Sequence, residues 1–261
     1  MKLVKILISF FFLAILTIAN ILPAYAEVTT SFWQTKKSQH FIVYHQDAPY
    51  DYIDDLIYKA ESYYNDIVEG LGYRRFDFWT WENRAKLYLF SNSSEYLSDS
   101  GHLAWSGATV HIKKRTIKTF INQKEFFESI LPHEMAHIIF REFVGMKAIL
   151  PLWLDEGVAC SQEKTKLNER LQFAKNLVKS KMYIPLDKLS EIKDCALVVP
   201  EVFYAQSASL LVYLFEEYGR EKFLDFSRRL RDGKNWQEAL ISTYRFQDLN
   251  DMQEKWKEFI K

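Results

Sequence analysis

Two histidines in the segment PHEMAHIIF have a spacing that suits a shared metal ion. His133 and His137 lie four residues apart, and Glu134 follows the first of them. On an α-helix, residues i and i+4 share a face, so both imidazoles can reach a single tetrahedral Zn²⁺. Glu134 would lie close enough to act on a water molecule without being a ligand. The pattern predicts a zinc site with Glu134 as general base.

A surface helix with two solvent-facing histidines is the alternative interpretation. The neighbouring residues argue against it, because they are mostly apolar: Leu131, Met135, Ala136, Ile138, Ile139 and Phe140. A mostly buried helix gains nothing from polar side chains unless a partner compensates for their desolvation. A bound metal ion would provide that compensation.

A catalytic zinc site needs a third protein ligand and an open fourth position. Glu156, in the segment WLDEGVA, follows the second histidine after a gap of eighteen residues. A turn between Gly145 and Pro151 would let two helices run antiparallel and present Glu156 to the histidines. Gly157 would permit close helix packing beside it. Asp155, in contrast, is expected to be a solvent-exposed charge.

The H-E-x-x-H motif, the gap and the W-L-x-E-G-x-A segment together resemble the zinc site of the gluzincin metallopeptidases. The chain is most similar in size to the small exported proteins called peptidase MA-like domains. The resemblance covers roughly residues 36–261 and is strongest at 131–160 and 203–219. It implies a zincin-like fold and a zinc-dependent peptidase that acts on peptides or proteins.

The resemblance also implies roles for individual residues. One Zn²⁺ would be held by His133, His137 and Glu156, with Glu134 as the general base. Related peptidases stabilise the oxyanion with a tyrosine or histidine, and Tyr204 in FYAQSAS matches the position of a tyrosine in the smaller relatives.

Four further residues are weaker candidates for the site. His102 and His111 are the alternatives to the tyrosine as oxyanion donors. Cys160 and Glu163 lie at i+4 and i+7 from the predicted third ligand and share its helix face. A carboxylate at such a position could orient a ligand imidazole through its free N–H.

The segment 107–121 bears on substrate choice. The alanyl-aminopeptidase branch of the gluzincins has a Gly-x-Met-Glu-Asn stretch there, whose glutamate anchors the free amine of the substrate. This chain has Gly107-Ala108-Thr109-Val110 and no such glutamate, so an endopeptidase is expected instead. The strand in SGATVHI could pair with the substrate backbone or be an ordinary edge strand, and the sequence leaves both open.

The hydrophobic pattern predicts an α+β fold, with a small N-terminal β-sheet and its helices followed by an all-helical C-terminal half. Strands are predicted at 40–46, 85–90, 107–112 and 116–121. Helices are predicted at 50–69, from Pro132 to Gly145, from Pro151 onward and at 201–219, with two or three more at the end. Asn122 and Glu125 resemble a capping box.

The first 26 residues have the layout of a secretory signal peptide, with cleavage after Ala26. The remainder, 27–261, would be a single gluzincin-like metallopeptidase domain, exported to the periplasm or the extracellular space. In the alternative interpretation, residues 6–22 remain as an uncleaved anchor and give the only membrane contact. Export would permit a disulfide between Cys160 and Cys195, although two free thiols are the favoured expectation.

Composition excludes little beyond nucleic-acid binding. Lys and Arg number 34, as do Asp and Glu, so no basic surplus points to a nucleic-acid partner. The oligomeric state is not indicated. Two other functions remain open: a zinc-bearing envelope binding or maintenance protein with little or no turnover, and hydrolysis of a non-peptide amide.

Overall fold

The computed structural model describes residues 32–100 and 107–261, so the predicted signal peptide, the anchor segment and His102 lie outside the described residues. The strands within it are β1 (Gln34–Lys37), β2 (Phe41–His45), β3 (Ala85–Phe90), β4 (Thr109–His111) and β5 (Thr116–Phe120). The first helices are α1 (Tyr50–Gly70), α2 (Ser93–Ser100), α3 (Leu131–Val144) and α4 (Leu152–Cys160). They are followed by α5 (Leu167–Ser180), α6 (Leu186–Glu191), α7 (Pro200–Arg231), α8 (Trp236–Tyr244) and α9 (Leu249–Ile260). The α+β prediction is confirmed.

The strands form one mixed sheet in the order β1-β2-β3-β5-β4. The three inner strands are parallel, with Val43 opposite Leu87 and Leu87 opposite Ile117. Parallel neighbours need a crossover connection, and α1 supplies it between β2 and β3. In β2, Phe41, Val43 and His45 are buried while the residues between them are partly exposed, which is the alternation of a strand with one covered face.

The strands predicted at 107–112 and 116–121 correspond to β4 and β5, which form an antiparallel hairpin with Val110 opposite Ile117. Its tip contains a short 3-10 turn over Ile112–Lys114, and Arg115 adopts a left-handed conformation with φ of 49°. β4 lies at an edge of the sheet. An edge strand has unpaired backbone groups, so pairing of β4 with a substrate backbone stays a prediction.

The helical half is centred on α4, which packs against both α3 and α7. Gly157 permits this approach, because a Cβ atom there would lie 2.5 Å from Leu211 Cδ2 and 2.6 Å from the Ser207 carbonyl oxygen. The close packing predicted for Gly157 is therefore confirmed. The predicted helix end at Gly219 is a break inside α7, where φ is 79° and ψ is 164°, and helical structure resumes at once.

Some local predictions differ from the structure. The capping box is wrong: Asn122 and Glu125 both have positive φ, and Glu125 caps no backbone amide with its side chain. Its carboxylate instead pairs with Lys166 at 2.6 Å, a partner far along the chain. The sequence also missed β1, whose QTKK residues are polar because the strand is an exposed edge.

No helix in residues 32–100 and 107–261 combines the length and apolar character that a bilayer span requires.

Candidate metal centre

α3 carries the H-E-x-x-H motif on a helix whose start is irregular. A π-helical turn over Phe126–Ile130 precedes it, and Pro132 occupies its first turn. Proline is tolerated there because the first amides of a helix have no intrahelical acceptor. His137 is buried, while His133 and Glu134 are partly exposed. The apolar residues around them are fully buried, so α3 is not a surface helix with two solvent-facing histidines.

α4 brings Glu156 to the same point after a sharp connection. Gly145 ends α3 with φ of 93°, and Pro151 precedes α4 in an extended conformation. Arg141 Nη1 donates to the Ala148 carbonyl at 3.0 Å, which ties the connection to α3. The turn predicted between Gly145 and Pro151 therefore exists, and the two helices meet at the motif.

Three donor atoms from these helices lie close together. His133 Nε2 and His137 Nε2 are 3.2 Å apart, and Glu156 Oε2 lies 3.5 Å from the first and 3.6 Å from the second. In a tetrahedral zinc site with ligand bonds near 2.0–2.1 Å, neighbouring ligand atoms are about 3.4 Å apart. The two imidazole nitrogens and one carboxylate oxygen thus fit three corners of a zinc tetrahedron in both chemistry and spacing.

Each imidazole has a carboxylate behind it. His133 Nδ1 donates to Glu163 Oε1 at 2.9 Å, and His137 Nδ1 faces Asp155 Oδ1 at 3.4 Å. A carboxylate can only accept, so Glu163 holds the proton on His133 Nδ1 and turns the lone pair of Nε2 toward the donor group. The contact of His137 with Asp155 is within ion-pair distance but does not form a hydrogen bond. Glu163 contacts a ligand imidazole as expected, but the expected helix face is wrong, because α4 ends at Cys160 and Glu163 lies beyond it. The expectation for Asp155 is wrong, because this residue is buried and is not a solvated charge.

Two arginines hold these carboxylates in place. Arg141 donates to Asp155 Oδ2 from Nε at 2.9 Å, with Nη2 at 2.8 Å. Arg170 donates to both oxygens of Glu163, with Nη2 at 3.0 Å and 3.1 Å. Charge-assisted pairs of this kind fix a carboxylate in both position and ionisation state. Neither arginine was identified from the sequence. Arg141 lies at i+4 from His137 on α3, a spacing that could have indicated it, whereas Arg170 is on α5 and is brought there by the fold.

The pKa values indicate how strongly the centre favours a cation. Burial alone would lower the pKa of His133 and of His137. The surrounding acceptors outweigh burial: they raise the pKa of His137 to about 10 and that of His133 well above its usual range. Burial would raise the pKa of Glu156, but the two imidazoles hold it well below its usual range. Positive charge belongs among these three groups, as protons or as a metal ion.

The two cysteines are not joined. Cys160 is buried and Cys195 is partly exposed, and both are free thiols. Burial raises the pKa of the Cys160 thiol, with His133 acting against it. Cys160 therefore lies beside the donor group as a neutral thiol, in keeping with the favoured expectation of two free thiols.

The two predicted catalytic residues differ in their surroundings. Among residues 32–100 and 107–261, no hydrogen bond or ion pair engages the Glu134 carboxylate, which leaves it available as a base. Tyr204 lies near the start of α7, with its hydroxyl 3.3 Å from Cys195 Sγ and Arg170 over its ring. Burial chiefly raises the pKa of Tyr204, and the Glu156 carboxylate also contributes. Because its pKa is raised, the phenol carries its proton at neutral pH. His111, one of the two alternative oxyanion donors, is exposed at the end of β4.

Comparison with known proteins agrees with this arrangement. A family model described as the peptidase MA superfamily matches residues 82–261, which is more than half of the chain. No match was found among curated proteins. Members of this superfamily are generally metal-dependent, and the match includes both helices that contribute the donor atoms. From this match and from the α+β fold around the His–His–Glu group, the chain belongs to the peptidase MA superfamily.

Proposed function

We propose that the chain is a zinc-dependent endopeptidase, a finer statement than the peptidase-like function that family membership supports. His133, His137 and Glu156 would hold one Zn²⁺. The observation that carries the proposal is the spacing of their donor atoms, 3.2–3.6 Å, with two imidazole nitrogens and a carboxylate oxygen in the set. A zinc ion bound there would polarise the scissile carbonyl and lower the pKa of a water molecule toward neutrality.

Glu134 would transfer the proton. Its carboxylate lies on α3 one residue after His133, and no described residue engages it. It would take a proton from the attacking water and return it to the leaving amine. The buried neighbours of α3 exclude bulk water from one side of this carboxylate, which strengthens its electrostatic interaction with the reacting groups.

Tyr204 would stabilise the oxyanion that forms when water adds to the carbonyl. A donor for this role must carry its proton at neutral pH, and burial of Tyr204 keeps its pKa raised. Arg170 over the ring and Cys195 at the hydroxyl hold the side chain in one orientation. Asp155 and Glu163 would keep both imidazoles aligned throughout the reaction.

A peptide library tests the proposal. Residues 27–261, loaded with zinc, are incubated with a mixed peptide library, alongside the Glu134→Gln variant and a chelated sample. We expect internal cleavage by the wild type, a loss of at least about 10²-fold in Glu134→Gln, and recovery of the chelated sample on addition of zinc. Zinc binding without cleavage by the wild type would instead support a binding or maintenance protein.

We also propose that the protein acts after export and removal of residues 1–26. The apolar run, Pro23 and the Ala24-Tyr25-Ala26 pattern support this proposal. The N-terminus of the protein recovered from a secreting host decides it. A chain that begins after Ala26 supports cleavage, whereas a chain that keeps residues 6–22 and fractionates with membranes supports the anchored form.

A further inference from the structure

A cavity of about 390 Å³ opens beside Tyr204, between α5 and the first turn of α7. Its walls include the aromatic ring of Phe173 together with Pro200, Tyr204 and Ala205. Phe173 is 39% exposed although it is large and apolar. The cavity thus offers an apolar surface next to the residue proposed to contact the reacting carbonyl.

The positive charges at this cavity are already paired. Lys166 Nζ lies 2.6 Å from Glu125 Oε2, and Arg170 binds Glu163 through two nitrogens. The Arg170 guanidinium also lies over the Tyr204 ring, 5.2 Å from its centroid. Both cations therefore already have a carboxylate partner, which offsets their charge at the cavity.

The negative charges at the cavity are not paired. Glu169 on α5 and Glu201 in the first turn of α7 both line it and are both exposed. Within residues 32–100 and 107–261, neither carboxylate takes part in a hydrogen bond or an ion pair. The charge that remains available at this cavity is therefore negative and comes from two different helices.

We propose that this cavity, which we call the Tyr204 cavity, binds a lysine or arginine side chain of the peptide substrate near the bond that is cut. The inference rests on the proposed peptidase function. The methylene stem would lie against Phe173 and the other apolar walls, as long basic side chains do on apolar surfaces. The cationic end would meet Glu169 and Glu201. Because Tyr204 lines the cavity and is also the proposed oxyanion donor, the side chain bound there would be close in sequence to the scissile bond.

The test compares peptides that differ only in one charge. Fluorogenic peptides taken from the library result carry either lysine or norleucine at each position flanking the cut, and norleucine keeps the stem without the ammonium group. We expect kcat/KM for lysine to exceed that for norleucine by roughly threefold to tenfold at one position, as two exposed ion pairs would give. The ratio should fall as salt is added, because exposed charges are screened.

Variants of the two glutamates test whether the preference for lysine over norleucine arises in the Tyr204 cavity. In the double variant Glu169→Gln/Glu201→Gln, the lysine-to-norleucine ratio should fall to about one. Replacing both glutamates by lysine should reverse the preference and favour peptides with glutamate at that position. Glu217→Gln is the matched control, since Glu217 is an exposed carboxylate on α7 that does not line the cavity. This control should leave the ratio unchanged.

The outcomes separate this inference from the proposed function. Cleavage of lysine and norleucine peptides at equal rates at every position, or a ratio that survives the double substitution, overturns the cavity assignment but leaves the peptidase intact. If the wild type cleaves no peptide, the proposed function fails. Fluorescence anisotropy of the zinc-loaded protein with a labelled peptide that carries one lysine, and with its norleucine counterpart, then decides the cavity: tighter binding of the lysine peptide, lost in the double variant, supports it, and equal binding refutes it.

Discussion

Gly157→Ala probes the packing that brings Glu156 to the metal centre. The added Cβ would lie 2.6 Å from the Ser207 carbonyl oxygen and 2.5 Å from Leu211 Cδ2, whereas ordinary contacts begin near 3.4 Å. The backbone oxygen cannot rotate away, so α4 and α7 must separate by about 0.8 Å to relieve the first contact. A gap of that size loses a quarter to a half of the dispersion energy between the atoms it separates.

The expected change in the free energy of unfolding is the balance of two opposing effects. Overpacking against backbone costs about 2–3 kcal/mol, and alanine gains about 1 kcal/mol over glycine in a helix interior. We therefore expect Gly157→Ala to lower the free energy of unfolding by about 1–2 kcal/mol. Zinc affinity should also fall, by roughly tenfold, because Glu156 is the adjacent residue and moves with the helix.

Gly70→Ala is the matched control, since Gly70 lies in α1 and its added Cβ would approach only Gln162 Oε1, at 3.7 Å. It should be neutral or stabilising by up to about 1 kcal/mol. Unfolding in urea, followed by circular dichroism with the metal chelated, gives both free energies, and competition with a chromophoric chelator gives zinc affinity. If Gly157→Ala is as stable as wild type and binds zinc as tightly, the close packing of α4 on α7 does not position Glu156.

Three further outcomes are expected at the metal centre. Asp155→Asn and Glu163→Gln should each weaken zinc binding by roughly 10–100-fold in chelator competition, because each removes the carboxylate behind an imidazole; unchanged affinity in both would contradict that role. Tyr204→Phe should lower kcat by about 10²–10³-fold with KM little changed, and a loss confined to KM would assign Tyr204 to substrate binding. Zinc loading at pH 7 should release protons, because the pKa of His137 without metal is raised to about 10 and that of His133 is raised too. Calorimetry in buffers of different ionisation enthalpy measures this release, and zinc affinity that does not rise with pH would contradict it.

Much of the site could be predicted because its signals are local. The i, i+4 spacing places His133 and His137 on one helix face whatever the rest of the chain does. Gly145 ends α3, because glycine readily adopts the positive φ at which helices terminate. Pro151 precedes α4, because proline lacks the backbone N–H that a helix interior requires. Gly157 indicates close packing of its helix against another helix, although the sequence does not show that the other helix is α7.

Other features could not be predicted because they depend on contacts far apart in sequence. Glu125 has the spacing of a capping residue, yet the fold brings Lys166 to it and its backbone turns left-handed. The strand order places β5 next to β3, with β4 at the edge, and no local pattern encodes that order. β1 carries no hydrophobic alternation, since it lies at the sheet edge.

The shared face of His133 and His137 could be predicted from the amino-acid sequence, because helical geometry converts their spacing directly into a common direction. What surrounds these donor atoms depends on the tertiary fold. Asp155 would be solvated on an ordinary amphipathic helix, but α4 is packed between α3 and α7 and has almost no free face, so its charge is buried between His137 and Arg141. Helical periodicity predicts which side chains share a helix face, whereas the packing of segments that are distant in sequence determines which residues those side chains contact.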